Sequence, residues 1–245
     1  MWSQALACCH DVPLVVFTLL VQMSAGMTWW SLLFPVSFPL LLAIGIVLML
    51  GGLVSLLHLG TPRNAWRAVM HLRKSWLSRE VLALGVFGVG WMAWVLERWV
   101  FGTNFGAWLN ALSGVVLVYS MTQVYRLRAV PAWNSWRTGA AFALSAAILG
   151  LTGFACQSGL LPFWSLLWGL LALQAGLTLS AQAALHQPAE RFRVVCIVMA
   201  MVGMSWLPVV PEGVRAWLHL LLFVLVWGEQ VLGRWLFYRA RVPAL

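Results

Sequence analysis

The chain has 245 residues, of which 62% are hydrophobic and 9% charged, and its mean hydropathy is +0.90. Soluble domains carry charge on about a quarter of their residues, so this composition excludes a water-soluble globule and points to long apolar helices in a bilayer. The formal net charge of +9 would suit nucleic acid elsewhere, but here the basic residues fall between apolar runs. Orientation in the membrane and contact with membrane lipids account for them, and no nucleic-acid partner is expected.

A helical crossing needs roughly 20 apolar residues, with about 17 tolerated. The chain opens with "LACCH", which resembles a lipoprotein cleavage site only faintly, since no basic lead-in precedes it. Cys8 and Cys9 read as small apolar residues. Asp11, just before Pro13, reads as an N-cap or first-turn acid for a retained first span over 12–33. The "FPVSFP" turn leads to a second span over 38–58, which ends at His58. "GTP" follows. Thr61 can cap a new helix with Pro62 at its first position, placing Arg63, Arg67, His71 and Lys74 along one face and Trp66, Val69 and Met70 on another. That pattern describes a short interfacial helix, which serves equally as a headgroup anchor or as a lid over a lipid-soluble substrate.

The third span is expected over 79–96. Ser78 is its expected cap, and Glu80 complements the positive end of the helix. Further spans fall over 107–126, 138–156, 160–185, 194–210 and 214–238, separated by "GTNFG", "VPAWNS", "QSG", "HQPAE" and "PEG". Trp29, Trp30, Trp99, Trp108, Trp133, Trp136 and Tyr238 mark span ends, where such rings settle among headgroups. The expected fold is therefore an all-α integral membrane protein, a single eight-helix bundle with short loops and no separate hydrophilic domain.

Thirteen of the fifteen basic residues lie on one side of these spans, against Arg98 and Arg215 on the other. The positive-inside rule places both termini and the long second loop in the cytoplasm. The six acids are Asp11, Glu80, Glu97, Glu190, Glu212 and Glu229. Glu97, Glu190 and Glu212 read as boundary charges. Glu229 lies inside the last span, ahead of Arg234, and reads first as part of an internal ion pair or structural hydrogen bond. Gln22, Gln123 and Gln174 are expected to bond between helices, and Gly26, Gly45, Gly51 and Gly52 to allow close packing.

Two polar residues carry more than a structural reading. His58 can cap carbonyls at a helix end, and Glu80 can serve the helix start. They are also a histidine and a carboxylate at similar depth, one loop apart, able to accept and relay protons. The cysteines Cys8, Cys9, Cys156 and Cys196 show no metal-ligand spacing, so neither an iron–sulfur cluster nor a metal site is expected in this chain. Paired histidines for haem are also lacking, since of His10, His58, His71, His186 and His219 only His219 falls within a span.

Four stretches in order, "HDVPLVVFTLLVQMSAG", "SLLHLGTPRNAW" with "LSRE", "VYRLRAVPAWNSW" and "GEQVLGRWLFY", resemble the membrane anchor subunit of bacterial dimethyl sulfoxide reductases, over nearly the whole chain. The resemblance implies an eight-helix inner-membrane subunit of a three-subunit complex of anaerobic respiration. Its partners would be a molybdopterin catalytic subunit and a four-cluster iron–sulfur subunit. It would bind and oxidise menaquinol, carry no haem, and pass electrons to the iron–sulfur partner. The family's quinol-site histidine matches His58, and the glutamate of its "LS-x-E" motif matches Glu80. Arg63, Arg67 and Trp66 are expected beside them in the quinol site. The connections between spans are shorter than the family's, and the second loop is more basic. A di-haem cytochrome anchor, a transporter and a purely structural anchor are the competing readings.

Overall fold

A computed structural model describes residues 2–57, 71–127, 129–131, 133–158, 161–180 and 188–239, and the side chains among them apart from those of 2–11, 57, 158 and 161. The described residues form eight α-helices: α1 (Trp2–Trp30), α2 (Phe38–Leu57), α3 (Trp76–Phe101), α4 (Phe105–Tyr125), α5 (Trp136–Ser158), α6 (Trp164–Leu179), α7 (Pro188–Trp206) and α8 (Glu212–Arg239). Six of them, all but α6 and α7, are long and apolar enough to cross a membrane. The all-helical membrane bundle expected from the apolar runs is what forms. The expected span over 160–185 is shorter: α6 has 16 residues and follows a 3-10 turn, Leu161–Phe163. Helix α7 carries Glu190, Arg191 and Arg193 in its first two turns, which lowers its hydropathy.

Helix boundaries follow local chemistry. Ser37 caps α2, its Oγ accepting the Leu40 N–H at 3.3 Å, and Pro39 sits in the first turn, where its missing N–H costs nothing. Gln157 ties this turn to the end of α5 by accepting from Ser37 N and donating to Pro35 O. Helix α3 ends at Gly102, whose φ of 70° is the left-handed conformation favoured by glycine, with its N–H returned to Arg98 O. Glu97 then closes the α3–α4 hairpin. Its carboxylate accepts from Thr103 Oγ1 and from the Phe105 and Gly106 amides, so this expected boundary charge caps the next helix. Helix α1 begins at Trp2 and runs through Pro13. Asp11 therefore lies inside a helix rather than at its start, because the helix continues ahead of Pro13 at the loss of a single backbone hydrogen bond.

Helix α1 is the centre of the bundle and packs against α2, α4, α5 and α8. Bilayer tails are as apolar as any side chain, so association rests on close packing and on interhelical hydrogen bonds. Both are present. A Cβ on Gly26 would overlap the Ala146 carbonyl, and one on Gly150 would overlap the Gly26 backbone. The two glycines thus let α1 and α5 touch backbone to backbone. Gly45 makes room for the Trp91 indole, which donates to Leu41 O at 2.8 Å. Gly51 packs on Leu20 and Val21, but Gly52 faces open space and is not a packing glycine.

Several tryptophans expected at the headgroups serve the interior instead. Trp29 donates to Ala111 O and Trp30 to Ala147 O across helices. Trp133 donates to Phe237 O at 2.8 Å and stacks on the Phe237 ring. Tyr238 is buried too. Trp99, Trp108 and Trp136 are exposed, as the interfacial reading requires. An indole N–H that finds a carbonyl on a neighbouring helix gains more there than at a wet boundary.

Glu229 is an ion-pair residue, and its partner comes from another helix. Arg193 Nε of α7 reaches its Oε1 at 2.6 Å, and Gln230 donates to its Oε2 at 2.6 Å. Gln174 of α6 also hydrogen-bonds it. Arg193 further meets Glu190 at 3.5 Å. Arg234, the nearer cation in sequence, instead donates to Gln22 Oε1 of α1 at 2.6 Å. Gln22 and Gln174 thus bond between helices as expected, whereas Gln123 lines a surface groove.

Two outcomes follow from this packing. Gly26→Val should lower stability by about 1–3 kcal/mol through overpacking, whereas Gly52→Ala should be neutral, both read from unfolding midpoints in detergent micelles. Arg193→Met should cost about 3–5 kcal/mol by stranding a buried carboxylate. Adding Glu229→Gln to that variant should recover most of the loss in the same measurement.

Candidate functional site

The start of α3 is set by Ser75, not Ser78. Ser75 has extended backbone, and its Oγ accepts the Ser78 N–H at 3.3 Å. The cap falls three residues earlier than the charge pattern suggested because the turn before it, closed by the Lys74 and Ser75 amides on His71 O, delivers the chain to Ser75. Arg79 clamps the same turn. Its guanidinium donates to Leu72 O and Arg73 O and lies 4.1 Å from the Trp76 ring centroid. The expected interfacial helix does not extend through Lys74, since residues 72–74 form that turn, and its stretch over 61–70 lies outside the described residues.

Glu80 consequently sits in the second turn of α3, past the positive end of the helix, and only 4% of it is exposed. Among the described residues, its Oε1 has no hydrogen-bond partner. An orphaned carboxylate oxygen in the interior carries a large desolvation cost, and helix-end complementarity does not repay it from this position. Such a group stands out as a place where a hydroxyl donor can be received.

Around it lies a chain of hydroxyls. Glu80 is within electrostatic range of Tyr125 and Tyr238. The Tyr238 hydroxyl is 3.1 Å from that of Tyr125 and 3.3 Å from Thr18 Oγ1. Thr18 in turn donates to the Leu14 and Val15 carbonyls at 3.0 and 3.1 Å. Arg234, 5% exposed, lies 3.7 Å from the Phe142 ring centroid. No carboxylate pairs with it among the described residues. Tyr125, Trp133, Phe142, Phe237 and Tyr238 wall this region with mutual ring contacts. The polar cluster occupies the end of the bundle where α3 begins, α4 ends and α8 ends, which is the basic end.

Of the residues expected to form the quinol site, Glu80 alone is placed here. His58, Arg63, Trp66 and Arg67 lie outside the described residues. Sequence reasoning missed Thr18, Tyr125 and Tyr238, because a hydroxyl in an apolar run carries no signal until the helices are assembled. Tyr238 was visible only as a ring at a span end. His219 lies toward the opposite end, with its Nε2 buried and unpartnered. Among the described residues, no group of three His, Cys, Asp or Glu could hold a metal ion.

A separate groove of about 480 Å³ runs between α4 and α5. Trp29 contributes to its wall, and Glu80 is not part of its lining.

The comparisons agree with this architecture. The family described as DMSO reductase anchor subunit (DmsC) matches residues 6–186. An anaerobic dimethyl sulfoxide reductase polypeptide of Haemophilus influenzae is 29% identical, over 58% of this chain and 57% of its own length. Its namesake from Escherichia coli is 26% identical over 94% of each protein. A shorter match, 37% identical, joins 30% of this chain to 25% of a sulfite dehydrogenase subunit from Allochromatium vinosum. The match thus spans little more than half the Haemophilus relative and nearly all of the Escherichia one. No solved structure matches it. With a family match over most of its length and an all-helical membrane bundle to go with it, the chain is a multi-pass membrane protein that belongs to the DMSO reductase anchor subunit family.

Proposed function

We propose that this chain anchors a dimethyl sulfoxide reductase-type complex in the bacterial plasma membrane and oxidises menaquinol at its basic end. The partners are a molybdopterin catalytic subunit and a four-cluster iron–sulfur subunit, as the family resemblance implies. Both termini face the cytoplasm, by the bias of basic residues.

The observation that carries this reading is Glu80, a buried carboxylate with one oxygen open, on the helix that follows the segment holding His58. Oxidising a quinol to a quinone releases two electrons and two protons. The protons need acceptors within hydrogen-bond reach of the ring hydroxyls and a path to water. His58, as neutral imidazole, accepts one proton near neutral pH. Glu80 receives or relays a proton, and the Tyr125–Tyr238–Thr18 hydroxyls hydrogen-bond in series behind it. Trp66 and the apolar ends of α2 and α3 hold the ring and tail. Arg63 and Arg67 supply positive potential near the head. The electrons pass to the iron–sulfur partner, and this chain's part is binding, orientation and proton transfer.

The match to a sulfite dehydrogenase subunit supports a second reading in which the same anchor serves a donor enzyme. Electrons would then run from the soluble subunits into quinone. The subunits that purify with the chain separate the two, because they fix the terminal substrate.

Glu80→Gln preserves shape and removes the basic oxygen. In the assembled complex it should lower menaquinol-driven turnover by about 100-fold or more, the range of a lost acid–base group. Turnover from a soluble artificial donor should stay unchanged. His58→Leu should behave alike. Full menaquinol-driven turnover in either variant leaves the chain a passive anchor.

A further inference from the structure

The groove between α4 and α5 is built from two helical faces. Val115, Val118, Tyr119, Thr122, Gln123 and Arg126 recur at helical spacing on α4, and Trp136, Gly139 and Ala143 do so on α5. From Val115 to Arg126 it rises about 16 Å, close to one leaflet of a hydrocarbon core that is about 30 Å thick. It is apolar along its length. Its polar members, Thr122, Gln123, Arg126 and Ser135, gather where α4 ends and α5 begins, at the basic end of the bundle.

The charge at that mouth is one-sided. Arg126 is exposed and, among the described residues, its side chain makes no hydrogen bond or ion pair. Tyr119 packs edge-on to Trp76 with centroids 6.0 Å apart, and Arg79 covers Trp76. No carboxylate lines the groove. An apolar slot one leaflet long, ending in unneutralised arginine at headgroup level, matches a lipid tail with an anionic head. A neutral quinol head would leave the arginine uncompensated.

We propose that the α4–α5 groove is a specific site for an anionic phospholipid, its acyl tail lying against Trp29, Val118 and Ala143 and its phosphate meeting Arg126. The site is distinct from the Glu80 region and does not depend on quinol oxidation. Occupancy fills the seam between α4 and α5.

Native mass spectrometry of the full-length protein, purified with its accompanying subunits, tests this by titration with phosphatidylglycerol and with phosphatidylcholine of identical tails. The unmodified protein should retain one phosphatidylglycerol at about five-fold lower concentration than phosphatidylcholine, as one arginine at a membrane surface supports. Arg126→Gln should abolish the preference while leaving weak binding of both lipids. Gly139→Phe should remove binding of both, since a Cβ there meets only Thr122 Cγ2 at 3.5 Å and the ring can grow into the slot. Ala143→Phe, on an exposed position, replaces it if that variant fails to assemble. Equal retention of the two lipids overturns the proposal, as does an Arg126→Gln variant with its preference intact. So does displacement of phosphatidylglycerol by a menaquinone analogue at equal concentration, or an accompanying subunit that covers the groove and excludes lipid.

Discussion

The bundle is organised around the meeting of α1 and α5 backbones at Gly26 and Gly150. Side chains of any size there would hold the two helices apart. Because they touch, α1 is enclosed by four neighbours, and its Thr18, Gln22, Ser24 and Thr28 side chains lose all access to water or headgroups. Protein groups then supply their hydrogen bonds, although Gln22 Nε2 is left without a partner among the described residues. Ser24 donates to Ile44 O of α2 at 2.9 Å, Thr28 to its own helix, Gln22 accepts from Arg234 and Thr18 from Tyr238. Two of these bonds fix the end of α8 against α1. The hydroxyl chain beside Glu80 therefore owes its geometry to a pair of glycines nearer the other end of the helix.

Burial of polar groups is uneven along the bundle. Thr18, Gln22, Glu80, Gln174, Glu229, Gln230, Arg234 and Tyr238 are all buried, and all lie in the half nearest the basic end. Hydrocarbon penalises each of them by several kcal/mol if left unpaired, at roughly 2–7 kcal/mol per group. The structure compensates by giving nearly all of them a partner, with the Arg193–Glu229 pair fully internal to α7 and α8. Gln22 Nε2 and Gln174 Oε1 also lack partners among the described residues, but the orphaned atom of Glu80 alone among these belongs to a carboxylate.

Much of the architecture was legible in the sequence, and the reasons are local. Apolar runs, Pro and Gly breaks and the bias of basic residues act within a turn or two of where they are read. The helices and the membrane-bundle class followed from them. Glu80 was visible as a carboxylate at a span start, but the cap at Ser75 hid its depth, since a shift of three residues carries it from the helix end to the interior. What stayed hidden depends on partners distant in sequence. Nothing near Glu229 announces Arg193, 36 positions away, and Arg234 at five residues was the more obvious mate. Trp29 and Trp30 look like interfacial rings until Ala111 and Ala147 carbonyls are brought beside them. An indole at a span end is compatible with either role, and only the assembled neighbours decide.

The Glu97 cap has a consequence for how the protein enters the membrane. The α3–α4 tip belongs to the side with scarce positive charge, so in the orientation proposed above, with both termini in the cytoplasm, it is the part that is translocated. It carries one acid and one arginine, and both are consumed locally. Glu97 binds the amides that open α4, while Arg98 donates to Gly102 O at 2.7 Å. The pair is electrically neutral and already solvated by its own backbone. The α3–α4 hairpin can thus cross as a preassembled unit, carrying its counter-charges with it.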